Sequence, residues 1–562
     1  MLFRSMMNIN ESKKRAIESI MSRMSIERKA AQVINIVLGW FGNDLDTQTL
    51  ELIDRYQPGS GMGGGGRWSQ TRKMMVRIQD VLEIPMAVTA DFESGVNFTD
   101  GTPFPSAMGR AAIADIDEAV RLTTIAGRTA AAQGRAAGAH WALAPVVDIN
   151  ANFRNPITNI RSYGDDLNRI NALSAAYIDG LQSGGMAATA KHFPGDGFSE
   201  LDQHKLTTVN PLSRKDWFAR SGAAFKHAIG AGVWTIMPGH IACPALSSLR
   251  NSRGRPIPAT FNSELLIDVL RGELGFSGLI VSDAFDMGGC LEHVATIAEA
   301  GVKGLKAGID ILLMVRDLPG TVDAIVKAVE SGDLPEARLN DAVYRTLALK
   351  ARLGLLPGDG YRVPNESESI ALYKPLLNES DAMAAAEQSV TLTHDVEGIL
   401  PLDRSKVKRV LINVENDEQF WGEDGVKLFG NQLPSLSFAD EMRRWGIAVD
   451  VVNDPGEGAT AKGFRQYDAV FYLFNNGPQA SRNSITPCRQ ALRDIDWRVI
   501  NSDVPVVFVA LRSPYLRFYL PGIPNLICTY ENSHCQQIAA VNAIFGNKPF
   551  SGRLPVAMPS PE

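Results

Sequence analysis

The chain is poor in cysteine, with five in 562 residues: Cys243, Cys290, Cys488, Cys528 and Cys535. Their number is odd and no CxxC pair occurs. Neither a disulfide framework nor a thiolate zinc or thiol-exchange motif is therefore expected. Long apolar runs are also missing. No stretch approaches the roughly 18–20 apolar residues that span a bilayer, and the mean hydropathy is −0.06. Positive charge is not in excess: 56 Lys and Arg face 62 Asp and Glu, a formal net charge of −6. That excludes a globally basic nucleic-acid binder. The composition also excludes collagen, coiled coil and long disorder. The opening stretch MLFRSMMNINESKKRAIESIM lacks the continuous apolar segment of a secretion signal. Glu11 and Glu18 stand among Arg4, Lys13, Lys14 and Arg15, where a transit segment avoids acids. A cytoplasmic protein without membrane or nucleic-acid partners is expected. What is present is 45% hydrophobic residues, enough for a substantial core. At about 150 residues per domain the length suggests three or four domains, or fewer large ones.

Along the chain, residues 10–38 alternate apolar and charged positions at helical spacing, with Ser25 placed to cap a helix. The stretch 59–66, GSGMGGGG, reads as a loop because glycine weakens both helix and strand. It has neither a P-loop tail nor dinucleotide-fingerprint spacing. From residue 85 a rhythm appears. Short apolar runs at 85–90, 141–147, 187–190, 232–237, 278–282 and 309–315 end in polar residues. Alanine-rich segments such as 111–138 and 167–182 lie between them and read as helices. Polar residues recurring at successive strand ends favour a (β/α)8 TIM-type barrel, whose active site faces those ends. A doubly wound sheet uses only its switch point. Residues 349–380 are rich in Pro, Gly, Asn and Ser, and a second α/β rhythm follows. Its strands are expected at 407–413, 447–452, 468–474, 505–511 and 525–530. The division expected is a barrel over 1–348, a linker over 349–385 and an αβα sandwich domain over 386–562.

Chemistry concentrates in 191–204, KHFPGDGFSELDQH. Asp202 and His204 are two residues apart, close enough in a bent loop for the carboxylate to hold one imidazole nitrogen. Such a pair sets the tautomer and serves hydrolytic dyads. A metal site competes, since the loop holds two histidines and three acids, but HExxH spacing is absent. In GLIVSDAFDMGG, at 278–289, Asp283 directly follows an apolar strand, where a fixed carboxylate can approach a reaction centre. Asp286 reads as a helix cap. Asp91 with Glu93 could take paired hydrogen bonds from sugar hydroxyls. Arg154, Arg161 and His240 are weaker polar candidates, because isolated polar residues are often satisfied structural partners. Lys191 qualifies as a Schiff-base lysine by position alone. No serine nucleophile elbow is seen.

Together these segments resemble glycoside hydrolase family 3, in its β-N-acetylglucosaminidase branch. The resemblance is carried by MSIERKAAQ (24–32), APVVDINANFRNP (144–156), RSYGDD (161–166), KHFPGDGFSELDQH (191–204), MPGHI (237–241) and LIVSDAFDM (279–287). LRSPYL (511–516) and FSGRLPVAMP (550–559) resemble the end of the family's second domain. The resemblance implies an α/β protein, a (β/α)8 barrel followed by an αβα sandwich. It implies a retaining mechanism with Asp283 as nucleophile and His204 as acid/base, oriented by Asp202. It also implies that Asp91, Arg161, Lys191 and His192 bind a terminal N-acetylglucosamine and that Met287 lines the pocket. No cofactor or metal is called for. The chain departs from the branch where Asp91 to Asn97 reads DFESGVN, without the usual arginine, and where Asp196 replaces the usual histidine. These changes bear on the ligand, not on the nucleophile or acid/base. Other readings are a β-glucosidase or a β-N-acetylglucosaminide phosphorylase of the same family, or an inactive sugar-binding protein.

Overall fold

The structure, a computed structural model, describes residues 9–40, 45–373, 377–416, 420–421, 427–429, 436–453, 461–478, 485–487, 495, 497–500 and 502–559. Contacts divide the chain into two compact units. The first comprises Met1–Thr102, Thr123–Ile149 and Asn171–Leu377. The second comprises Pro103–Leu122, Asn150–Ile170 and Asn378–Glu562.

The first unit is built on eight strands: β1 (Ile34–Trp40), β2 (Ser60–Gly64), β3 (Ala87–Ala90), β4 (Trp141–Ala142), β5 (Thr189–Phe193), β6 (Thr235–Pro238), β7 (Leu279–Ile280) and β8 (Leu312–Val315). Parallel ladders join β8-β1-β2-β3-β4 and β5-β6-β7. Parallel bridges Trp141–Ala187 and Val146–Lys191 link the β4 and β5 segments, and Val281–Ile311 links those of β7 and β8. The ring thus closes as a (β/α)8 barrel. Helices such as Thr47–Tyr56, Trp68–Asp80 and Ile297–Ala307 follow β1, β2 and β7. Their starts are written locally, since Asp46 and Thr296 accept the N–H groups of Thr49 and Glu299. Ser25 likewise caps its helix by accepting from Arg28.

Side chains fill the barrel and satisfy one another. Trp141 Nε1 donates to Thr189 Oγ1 at 2.8 Å and to Thr235 Oγ1 at 3.1 Å, tying β4, β5 and β6. Outside the ring, Asp310 is fully buried and accepts Arg271 Nη2 at 2.7 Å, Arg338 Nη2 at 2.8 Å and the Ile280 N–H at 2.9 Å. Burial pushes its carboxyl up, but the three guanidinium groups of Arg271, Arg338 and Arg345 pull harder, and the net shift is downward. This ion cluster fastens β7, the strand that leads to Asp283.

Two sequence expectations are corrected. The glycine-rich stretch 59–66 is not a loop, because Ser60–Gly64 forms barrel strand β2. Glycine is used there for close packing: a Cβ on Gly61 would lie 2.7 Å from Leu38 Cδ1 and Met86 Sδ, and one on Gly59 1.9 Å from the Gln32 carbonyl. The helical reading of 10–38 holds for Glu11–Met21 and Ile26–Gln32 but runs into β1. Only Val33 separates that helix from the strand, so their apolar residues merge into one pattern.

The second unit carries β9 (Thr391–Asp395), β10 (Arg409–Asn416), β11 (Ala448–Asn453), β12 (Ala469–Asn475), β13 (Val506–Ala510) and β14 (Asn525–Cys528). Their order is β9-β14-β13-β12-β10-β11, parallel except for β9. Its core joins Val470, Tyr472, Phe508 and Leu526 to Met108, Ala112 and Ile160 from the two earlier segments. The stretch 349–385 holds the end of helix Glu336–Leu353, helix Glu366–Tyr373 and the start of helix Glu379–Ser389. Cys243, Cys290, Cys528 and Cys535 are buried and free, and Cys488 lies outside the described residues. Among the described residues no helix is long and apolar enough to cross a membrane.

Candidate active site

The C-terminal ends of β3, β5 and β7 and the loops after them bring most of the sequence-nominated residues into the first unit. In a (β/α)8 barrel this is the face that carries chemistry. After β3, Asp91 is half exposed while Glu93 turns inward. Both reach Lys191 on β5, whose Nζ lies 3.2 Å from Asp91 Oδ1 and 2.8 Å from Glu93 Oε1. Lys191 has only 3% of its side chain exposed, so its charge is matched by carboxylates on the spot. That arrangement fits a polyhydroxyl contact better than a Schiff-base lysine.

The loop after β5 holds Asp202 and His204. Asp202 is fully buried, and its Oδ1 accepts both the His204 backbone N–H at 2.8 Å and the ring Nδ1–H at 2.7 Å. A carboxylate only accepts, so Nδ1 carries a proton and Nε2 is the nitrogen left to act. His204 keeps a quarter of its side chain exposed.

Asp283 follows β7, and its Oδ1 accepts the Ala284 N–H at 2.8 Å. Burial pushes its carboxyl up. The imidazoles of His192, His240 and His204, with the Ala284 N–H, outweigh burial and leave the carboxyl below its usual value. It is therefore an ionised carboxylate facing three histidines. Met287, in the same loop, is 6% exposed. Asp286 does not cap a helix as the sequence suggested. It pairs with Arg316 at 2.7 Å instead.

A second aspartate–histidine pair was not nominated from the sequence. Asp148 Oδ2 lies 2.7 Å from His192 Nδ1, and Asp148 Oδ1 accepts the backbone N–H groups of His192 at 3.1 Å and Asp196 at 2.8 Å. The signal that could have found it was present, since Asp148 ends the apolar run 141–147 as Asp91 and Asp283 end theirs. Asp196 is buried and turned into its own loop, accepting the Gly197 N–H at 2.7 Å. Arg161 lies in the second unit, in the short helix Asn159–Arg161, and its Nη1 donates to the Ile157 carbonyl. Arg154, in the same unit, lies over the rings of Phe153 and Phe518. Among the described residues no group of three or more His, Cys, Asp or Glu is arranged to hold a metal ion.

This geometry has relatives. The family description "Glycosyl hydrolase family 3 N terminal domain" matches residues 26–349. A β-N-acetylglucosaminidase/β-glucosidase of Cellulomonas fimi is 36% identical over 500 residues, covering 85% of each chain. A β-hexosaminidase A of Pseudoalteromonas piscicida is 26% identical over 566 residues, covering 92% of this chain and 91% of the relative. Among solved structures, a β-glucoside phosphorylase bound to 2FGlc superposes with a TM-score of 0.86 at 27% identity, over 98% of this chain and 97% of that one. A glycoside hydrolase family 3 β-N-acetylglucosaminidase from Paenibacillus sp. str. FPU-7 gives 0.82 at 25% identity, over 95% and 99%. The chain belongs to glycosyl hydrolase family 3 and is a glycosidase.

Proposed function

We propose that the protein is a retaining, exo-acting β-N-acetylglucosaminidase that removes terminal non-reducing N-acetyl-β-D-glucosaminides. The observation that carries this reading is the Asp202–His204 pair at 2.7 Å, beside a strand-end aspartate kept ionised. Asp283 attacks the anomeric carbon as the bond to the leaving oxygen breaks, and His204 Nε2 delivers a proton to that oxygen. Asp202 stabilises the imidazolium and fixes the ring. In the second half-reaction His204 takes a proton from water. The hydroxide so formed displaces Asp283 from the anomeric carbon and frees the sugar with retained configuration. Asp91 and Lys191 hold sugar hydroxyls, His192 presents Nε2, and Met287 lines the pocket. The reading assigns this chemistry to a barrel domain over 1–348, with a linker over 349–385 and a sandwich domain over 386–562. It makes the protein cytoplasmic, on the sparse and odd number of cysteines.

A panel of aryl β-glycosides tests the substrate. The N-acetylglucosaminide is expected to be turned over fastest, and a clear preference for the glucoside would overturn the assignment. One second reading is favoured by the likeness to the β-glucoside phosphorylase. In it phosphate takes the place of water, because a histidine repels the anion less than a carboxylate acid/base would. Release of only free sugar in excess phosphate would remove that reading.

A further inference from the structure

Three loops at the C-terminal mouth of the barrel are tied together by groups that cannot touch a sugar. His240, just after β6, has no exposed surface. Its backbone N–H donates to Gln203 Oε1 at 2.9 Å, and Gln203 stands between Asp202 and His204. Its ring Nε2 donates to the carbonyl of Ala284 at 2.8 Å, the residue after Asp283. Its other ring nitrogen lies 2.8 Å from Thr260 Oγ1, which fixes the ring plane. One residue therefore holds the acid/base loop through its backbone N–H and the nucleophile loop through its ring. Burial pushes the His240 imidazole below its ordinary value despite the opposing pull of Asp283.

The two loops also meet directly. The Gly288 N–H donates to the His204 carbonyl at 2.7 Å, and the Gly289 N–H to the Gln203 carbonyl at 3.1 Å. Thr207 closes the contact from outside. Its Oγ1 donates to the Gly289 carbonyl at 3.1 Å and lies 2.8 Å from His293 Nε2. There is no slack. A Cβ on Gly288 would lie 2.2 Å from the Lys205 carbonyl, and one on Gly289 2.8 Å from the Gln203 carbonyl and from His240 Cβ.

We propose that His240 and the Gly288–Gly289 turn form a positioning frame that sets the separation between the Asp283 carboxylate and the His204 imidazole. The proposal rests on the roles given to those two residues above. Retention demands that the proton donor and the nucleophile reach the same glycosidic bond from fixed positions, and a displacement of about 1 Å costs about 100-fold in rate. A push on residues 203–205 moves His204 but not Asp283, which stays anchored by β7. The loss must then fall on the step that needs a proton.

The test compares Gly288→Ala, Thr207→Val and His204→Ala with the parent on dinitrophenyl and phenyl N-acetyl-β-glucosaminides. In Gly288→Ala, kcat/KM for the dinitrophenyl substrate is expected to stay within about threefold, while that for the phenyl substrate falls about 100-fold. Thr207→Val adds no bulk and removes one hydrogen-bonded brace, so the same pattern is expected at about 5- to 10-fold. It carries the test should Gly288→Ala fail to fold. Equal losses on both substrates, or no loss, in a folded variant would overturn the frame while leaving the acid/base role intact, provided that His204→Ala discriminates between the two. If His204→Ala does not discriminate, the acid/base role fails and the frame falls with it.

Discussion

Replacing Asp148 by Asn isolates one hydrogen bond at the rim of the site. The Asp148 side chain is fully buried, and its Oδ2 lies 2.7 Å from His192 Nδ1. Because a carboxylate only accepts, the His192 proton sits on Nδ1, and Nε2 is left as the acceptor that the proposed function offers to the sugar. An Asn amide can keep the backbone bonds from His192 and Asp196 through its oxygen. Its NH2 group then meets Nδ1, which becomes an acceptor, and the ring proton moves to Nε2. The pocket exchanges an acceptor for a donor at nearly constant shape. Leaving a buried polar group without its partner costs about 1–3 kcal/mol. At 1.4 kcal/mol per tenfold this is about a 5- to 100-fold loss in kcat/KM. His192 is assigned to binding, so the loss is expected mainly in KM, with a parallel rise in the inhibition constant of free N-acetylglucosamine. Asp148→Ala is expected to behave differently. It strands two buried backbone N–H groups at about 1–3 kcal/mol each, and the thermal midpoint falls clearly. The measurement is steady-state kinetics on an aryl N-acetyl-β-glucosaminide beside a melting curve. A folded Asp148→Asn protein within twofold of the parent in kcat/KM would refute the reasoning.

Three further outcomes follow from the same geometry. His204→Ala is expected to lose about 100- to 10,000-fold on poor leaving groups and far less on activated ones, read from a leaving-group series. Asp283 sits below the ordinary carboxylate value because His192, His240 and His204 outweigh burial. Attack needs the ionised form, so the acid limb of kcat/KM is expected below about pH 4, and a limb above pH 5 contradicts it. Burial alone pushes the Lys350 ammonium down to about 7. The unfolded chain then binds more protons than the folded one between about pH 7 and 10, so stability rises with pH across that window. Lys350→Met is expected to raise the thermal midpoint most below pH 7, with the gain fading towards pH 10.

What the sequence reveals depends on how local each feature is. The barrel strands from β3 onward were readable because each is a short apolar run closed by a polar residue. β2 was not, since its glycines answer to Leu38 and Met86 across the packing, which no local pattern records. β9 hides because its polar sequence, TLTHD, forms an antiparallel edge. The Asp202–His204 pair was legible at a spacing of two. Asp148 was legible as a polar strand end, but its pairing with His192 was not, because the two lie 44 residues apart on different strand segments. His240 reads as one more polar strand end until its complete burial shows that it works on the protein and not on a ligand.

The central claim is that Asp283 becomes covalently joined to the sugar. A 5-fluoro glycosyl fluoride of N-acetylglucosamine slows the second half-reaction, so the intermediate can accumulate and be digested for mass spectrometry. The account predicts one added sugar per chain, located on the peptide bearing Asp283 and absent from Asp283→Ala. A stable adduct on another residue, such as Asp286, or an undiminished adduct in Asp283→Ala, would contradict it.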